Sequence, residues 1–76
     1  MKAFVLCRMT PGLEQEAVKK FRTVDGVTDV YLVFGGWDAI LGVEADTIDK
    51  LSTLISGQIR AIKGVCATET LVTTSL

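Results

Sequence analysis

Histidine is missing from this chain altogether, and cysteine occurs only twice. Without an imidazole there is no Cys–His nucleophile and no histidine-based metal site. Two thiols are too few for a structural zinc site, and with no C-x-x-C spacing they make no disulfide framework. Concentrated basic charge is lacking as well. Eight Lys and Arg stand against nine Asp and Glu, a net charge of −1, and they are spread along the chain. Phosphate backbones demand a basic stripe, so direct nucleic-acid binding is not expected. No apolar run approaches the roughly 20 residues of a membrane span, and Met1-Lys2 leads into a short strand rather than a signal peptide. A cytoplasmic location is the resulting expectation. The glycines follow no phosphate-loop pattern. No two acids are placed to converge in a cleft, so the chain nominates no catalytic residue, no metal and no cofactor.

What the chain has in plenty is apolar surface. Seventy-six residues make one domain, 1–76, yet 49% of them are apolar. A domain of this size buries a modest fraction of its surface, so its core is marginal alone. The excess points to an oligomeric interface, with a dense monomeric core as the plainer alternative.

Lys2–Arg8 is a nearly continuous apolar run, typical of a strand covered on both faces. Thr10-Pro11 predicts a helix start, with Thr as cap and Pro in the first turn. Leu13, Ala17, Val18, Phe21 and Val24 then recur at helical spacing, with acids leading and bases trailing on the other face. Asp25-Gly26 stops this helix. Val27–Phe34 reads as a second strand, Gly35-Gly36 as a hairpin corner, and Ala39–Ala45 as a third strand. Asp46 is the expected cap of a second helix, whose stripe is Ile48, Leu51, Leu54, Ile55, Ile59 and Ile62. Gly57 within it allows close packing or a bend. Lys63-Gly64 ends the helix, and Val65–Thr73 alternates as the last strand.

The order β-α-β-β-α-β is supported by an internal echo. Asp25-Gly26-Val27 and Lys63-Gly64-Val65 each close a helix and open a strand, 38 residues apart, and at that offset Leu13, Ala17, Phe21 and Val24 fall on Leu51, Ile55, Ile59 and Ile62. Two such halves predict the ferredoxin-like split βαβ fold, an α+β domain with a four-stranded antiparallel sheet and both helices on one face. The strands are apolar on both sides: Phe4 and Leu6 alternate with Val5 and Cys7, and Val30 and Leu32 with Tyr31 and Val33. A sheet wet on one side should be polar at every second position. A second chain packed sheet to sheet is therefore expected.

Cys7 and Cys66 fall on neighbouring strands in this order. They make either a cross-strand pair or two buried, reduced thiols, and in a cytosolic setting the second reading is preferred. Glu44 and Glu69 read as solvent-facing or interfacial.

The stretch Phe34-Gly35-Gly36-Trp37-Asp38 carries the only Trp of the chain and a carboxylate on a turn. Asp38 either hydrogen-bonds turn amides, as Asx residues do, or holds an ammonium while freed amides take a carboxylate, the pairing an α-amino acid presents. Trp37 is either a pocket wall or a plug in an interface. Thr68, Thr70, Thr73, Thr74 and Ser75 are either β-formers on an edge strand or, for one or two of them, ligand donors.

These segments together resemble a known family. AFVLCRMTPG, DGVTDVYLVFGGWDAILGVEA and IKGVCATETLV are similar in order and spacing to the effector-binding (RAM) domain of the Lrp/AsnC, or feast/famine, transcriptional regulators, and the likeness covers essentially the whole chain. The family's P-G-V, G-x-Y/F-D and G-V-x-x-T-x-T elements stand here as Asp25-Gly26-Val27, Gly35-Gly36-Trp37-Asp38, and Gly64-Val65 through Thr68 and Thr70. Asp25 replaces Pro, and Trp37 replaces the commoner Tyr or Phe. The resemblance implies a dimeric α+β barrel, often built into an octameric ring, with amino acids bound between neighbouring dimers. It makes Gly35, Gly36, Trp37 and Asp38 candidate ligand contacts, Asp38 near the amino group, with Thr68 and Thr70 supplied by a neighbouring chain.

A full regulator of this family also carries a helix-turn-helix domain, which is not found between Met1 and the first strand. The resemblance is either to stand-alone forms of the domain or to the effector half cut from a longer regulator; by itself such a domain would not read DNA but would sense amino acids or modulate full-length Lrp/AsnC regulators by mixed assembly. The reading is non-enzymatic. Its rivals are a small dimeric α+β barrel enzyme of monooxygenase or isomerase type, which shares the fold, and a purely structural assembly module.

Overall fold

Alternation along the first strand decides which side of the sheet becomes core. The structure, a computed structural model, describes residues 1–74; Ser75 lies outside them. In β1 (Lys2–Met9), Ala3, Val5, Cys7 and Met9 are buried while Phe4 and Leu6 are only half-buried. β2 (Val27–Leu32), β3 (Ala39–Glu44) and β4 (Val65–Val72) complete one sheet in the order β2-β3-β1-β4, every pair antiparallel. Ala39, Leu41 and Val43 stand opposite Cys7, Val5 and Ala3 and are fully buried with them.

Helix α1 (Glu14–Phe21) and helix α2 (Ile48–Leu54) close that face with Ala17, Phe21, Leu51 and Leu54. α2 runs on into a π-helical turn, Ile55–Ile59, which adds Ile55 and Ile59 to the core. Its wider ring is seen in the bond from the Arg60 N–H to the Ile55 carbonyl, 2.9 Å. Gly57 lies inside this turn, but a Cβ there would meet only a Thr53 methyl at 4.0 Å. Close packing is not what Gly57 provides.

Several boundaries differ from the expected ones. α1 does not open at Thr10-Pro11. The Leu13 N–H bonds the Thr10 carbonyl at 3.0 Å, so Thr10-Pro11-Gly12-Leu13 is a β-turn, with Pro and Gly in its middle positions, and the helix begins after it. Leu13 takes the cap position with no side-chain cap, and the Gly12 N–H is met instead by Glu14 Oε1 at 2.6 Å. In α2 the cap is Thr47, whose Oγ1 accepts the Lys50 N–H at 3.1 Å, while Asp46 makes an exposed ion pair with Lys50 at 3.5 Å. A hydroxyl one residue further on does the capping. Ile48, expected in the buried stripe, is 53% exposed, because the first turn of α2 overhangs the edge strand β4. β2 stops at Leu32, β3 at Glu44 and β4 at Val72, each short of the apolar or β-branched run that suggested it.

The echo between the halves has a backbone cause. Gly26 and Gly64 both adopt positive φ, +101° and +102°. A Cβ at Gly26 would lie 2.9 Å from a Leu54 methyl, and one at Gly64 would lie 2.9 Å from Leu13 Cβ. Each helix thus ends against the other half's helical segment, where only glycine fits.

The two cysteines do not pair. Cys7 is buried and free, and Thr68 rather than Cys66 stands opposite it. Cys66 is exposed, not buried as expected, because the register shifts between Arg8 and Met9; its thiol donates to the Arg8 carbonyl at 3.2 Å. On the sheet's open face Phe4, Leu6 and Ile40 are half-buried and Tyr31 and Leu71 exposed, with Lys2, Arg8, Glu44 and Glu69 around them. A local bulge at Thr28 lays Asp29 across Gly42, where any Cβ would come within 2.8 Å of the carboxylate.

Candidate functional site

The β2–β3 connection is longer than the apolar run suggests. Val33 and Phe34 lie beyond the strand: the Val33 N–H bonds the Asp38 carbonyl at 3.0 Å, and Phe34 projects fully exposed. Gly35 then turns the chain at φ +134°, a backbone form that glycine accepts readily and bulky residues do not. Neither Gly35 nor Gly36 would bring a Cβ within 4 Å of another atom. The two glycines therefore face open space, while Trp37 and Asp38 beside them are half-buried.

Asp38 fastens it back. Its N–H donates to the Cys7 carbonyl at 2.9 Å, and its Oδ2 accepts the Met9 N–H at 2.8 Å. The Asx-type role weighed for this residue is thus present, though toward β1 rather than within the turn. Its second oxygen, Oδ1, has no protein partner among the described residues. Asp38 also lines an open hollow of about 260 Å³ with Glu14, Leu32, Val33 and Phe34, so an acid pair meets an apolar wall there.

Trp37 is half-buried, and what lies over it is Arg8. The guanidinium stands 5.2 Å from the ring centroid, and its Nε and Nη2 donate to the Gly36 carbonyl at 3.2 and 2.6 Å. Reasoning from sequence passed over Arg8. The signal was available: it is the one charge in the second half of an apolar strand, and the split βαβ order puts that strand end beside the start of β3.

Thr68 and Thr70 do not join the corner within one chain. They lie on β4 opposite Cys7 and Val5, with β1 between them and β3, and both are half-buried on the helix side. Thr70 lines a different hollow, about 310 Å³, with Ile48, Ile55 and Arg60 among its walls. A larger hollow, about 490 Å³, lies at the far end of β3 beside Glu44, Asp46, Asp49 and Lys50, and it touches none of the predicted site residues.

Four antiparallel strands in the order β2-β3-β1-β4, with both helices on one face, make this a ferredoxin-like α+β domain. The family model described as the Lrp/AsnC ligand binding domain matches residues 2–75, and the chain belongs to that family. Among its relatives is the uncharacterized HTH-type transcriptional regulator PH1916 of Pyrococcus horikoshii, 37% identical over 73 residues, a match taking in 92% of this chain and 49% of the relative. The chain spans about half the length of the curated relatives it matches. The crystal structure of FFRP-DM1 superposes with a TM-score of 0.92 at 32% identity, covering 96% of this chain and 97% of that one. The fold is also that of the transcriptional regulator NMB0573 from Neisseria meningitidis, solved as an L-Met complex, with a TM-score of 0.90 at 13% identity, covering 97% of this chain and 49% of that one. Among the described residues no helix is long and apolar enough to cross a membrane.

Proposed function

We propose that this chain is a non-enzymatic effector-binding and assembly domain that takes an α-amino acid, or a similar small molecule, at the Gly35–Asp38 corner. The observation that carries the reading is the state of Asp38. One carboxylate oxygen is committed to the Met9 N–H, which fixes the group in place, and the other is free beside the apolar wall of Leu32, Val33 and Phe34. A fixed acid next to an apolar wall suits an ammonium attached to an aliphatic or thioether side chain. Gly35, Gly36 and Trp37 shape the approach, and the bare glycine backbone lets a ligand come close.

The hollow at the corner is open, so a second chain is needed to close it. Thr68 and Thr70 enter the site only from such a neighbour, within an assembly built on sheet-to-sheet dimers and extending to an octameric ring. The named relatives being transcriptional regulators, the output is control of transcription, exerted by mixed assembly with full-length Lrp/AsnC regulators. The protein acts in the cytoplasm, without touching nucleic acid itself.

Thermal denaturation in the presence of each of the twenty amino acids tests this. A ligand of the folded state raises the midpoint by mass action, so at least one amino acid at millimolar concentration should do so. A flat response to all of them refutes the effector reading.

A further inference from the structure

The structure assigns a role to Arg8 that the corner's own residues cannot fill: we propose that it is the positioning residue of the site, holding the Gly36 carbonyl and the Trp37 ring in one arrangement. The backbone ties given for the connection attach residue 33 and residue 38, through Val33 N–H to Asp38 O and Asp38 N–H to Cys7 O. Between them, among the described residues, the only hydrogen bonds to the loop are the two that Arg8 donates to Gly36. Two consecutive glycines with open space around them lose much conformational freedom when fixed. Arg8 is the group placed to fix them. A guanidinium suits the task because its planar fork donates through two nitrogens to a single carbonyl while its face lies over an indole.

Arg8 also belongs to the open face of the sheet, two residues on from Leu6 and opposite in facing to buried Cys7. A chain packed on that face would cover the guanidinium, remove it from water and strengthen its hold on Gly36. The shape of the corner is thereby tied to the cover over the sheet.

The effect on affinity rests on the proposed ligand site; the positioning itself does not. Trp37 is the only tryptophan, so its emission reports on Arg8 without any ligand. In Arg8→Met the emission maximum should move and acrylamide quenching should rise. Arg8→Lys, which keeps a cation but not the fork, should fall between Arg8→Met and the wild type. Lys20→Met, which removes an exposed cation on α1 that lines none of these hollows, should match the wild type. For an amino acid that stabilises the wild-type protein, Arg8→Met should weaken binding about tenfold. The proposal is overturned if Trp37 in Arg8→Met emits and quenches as in the wild type, or if Lys20→Met moves it equally. If no amino acid binds the wild type, the effector reading fails while the emission series still decides the role of Arg8.

Discussion

The two faces of one sheet are built to opposite plans. The helix-covered face carries small and medium side chains, Ala3, Val5, Cys7, Ala39, Leu41 and Val43, all fully buried. The open face carries large ones: Phe4, Leu6 and Ile40 half-buried, Tyr31 and Leu71 more than half exposed. Small residues let α1 and α2 lie close to the sheet. Large apolar residues on the face without helices add nothing to that packing, and they are useful where another surface meets them. The covered face thus accounts for the fold of the single chain, and the open face is the one available to the proposed assembly. The corner sits where the two meet, held by Asp38 from beside the core and by Arg8 from the open side.

Substitutions on the two faces and at the corner should separate their roles. Phe21, fully buried under the sheet, is the anchor of the covered face, and Phe21→Ala should cost about 3–5 kcal/mol in chemical denaturation. Asp38→Ala strands the Met9 amide and should cost about 1 kcal/mol, while abolishing any amino-acid-induced rise in melting midpoint. Retained ligand response in this variant would remove Asp38 from the site. Leu6→Asp, on the open face, should leave the folding free energy of the single chain within about 0.5 kcal/mol yet drop the mass seen by sedimentation to that of a monomer. A wild-type protein that already runs as a monomer would contradict the assigned use of the open face.

The last effect vanishes at neutral pH. Burial raises the Cys7 thiol from 9.0 to about 11. The unfolded chain therefore gives up this proton first, so stability should be flat below about pH 9 and fall as pH approaches about 11. Cys7→Ala should lack this component of the slope in urea titrations at pH 8 and pH 10.5.

The periodic parts of the molecule were legible in the sequence. The helical recurrence of Ala17, Phe21, Leu51, Leu54, Ile55 and Ile59 identified core residues that the structure buries, and the echo between Gly26 and Gly64 supported the topology, while strands apolar on both sides did not say which side is core. Three features were not legible, each for its own reason. Pro11-Gly12 satisfies the signals of both a helix start and a β-turn, and the bond from Leu13 to Thr10 shows that the turn won. Val33 and Phe34 are apolar but lie past the last ladder pair, with Phe34 fully exposed, so hydrophobicity extended β2 past its end. Arg8 and Trp37 are far apart in sequence and met only once β1 was placed beside β3. The motif located the corner; what holds the corner came from topology.

The most direct test of the corner as an effector site is a titration of the assembled wild-type protein with amino acids, followed by Trp37 emission and repeated on Asp38→Ala. A saturable change with at least one amino acid, and none in the variant, is expected. No change with any of the twenty in a protein shown to be assembled, or an equal change in Asp38→Ala, would contradict it.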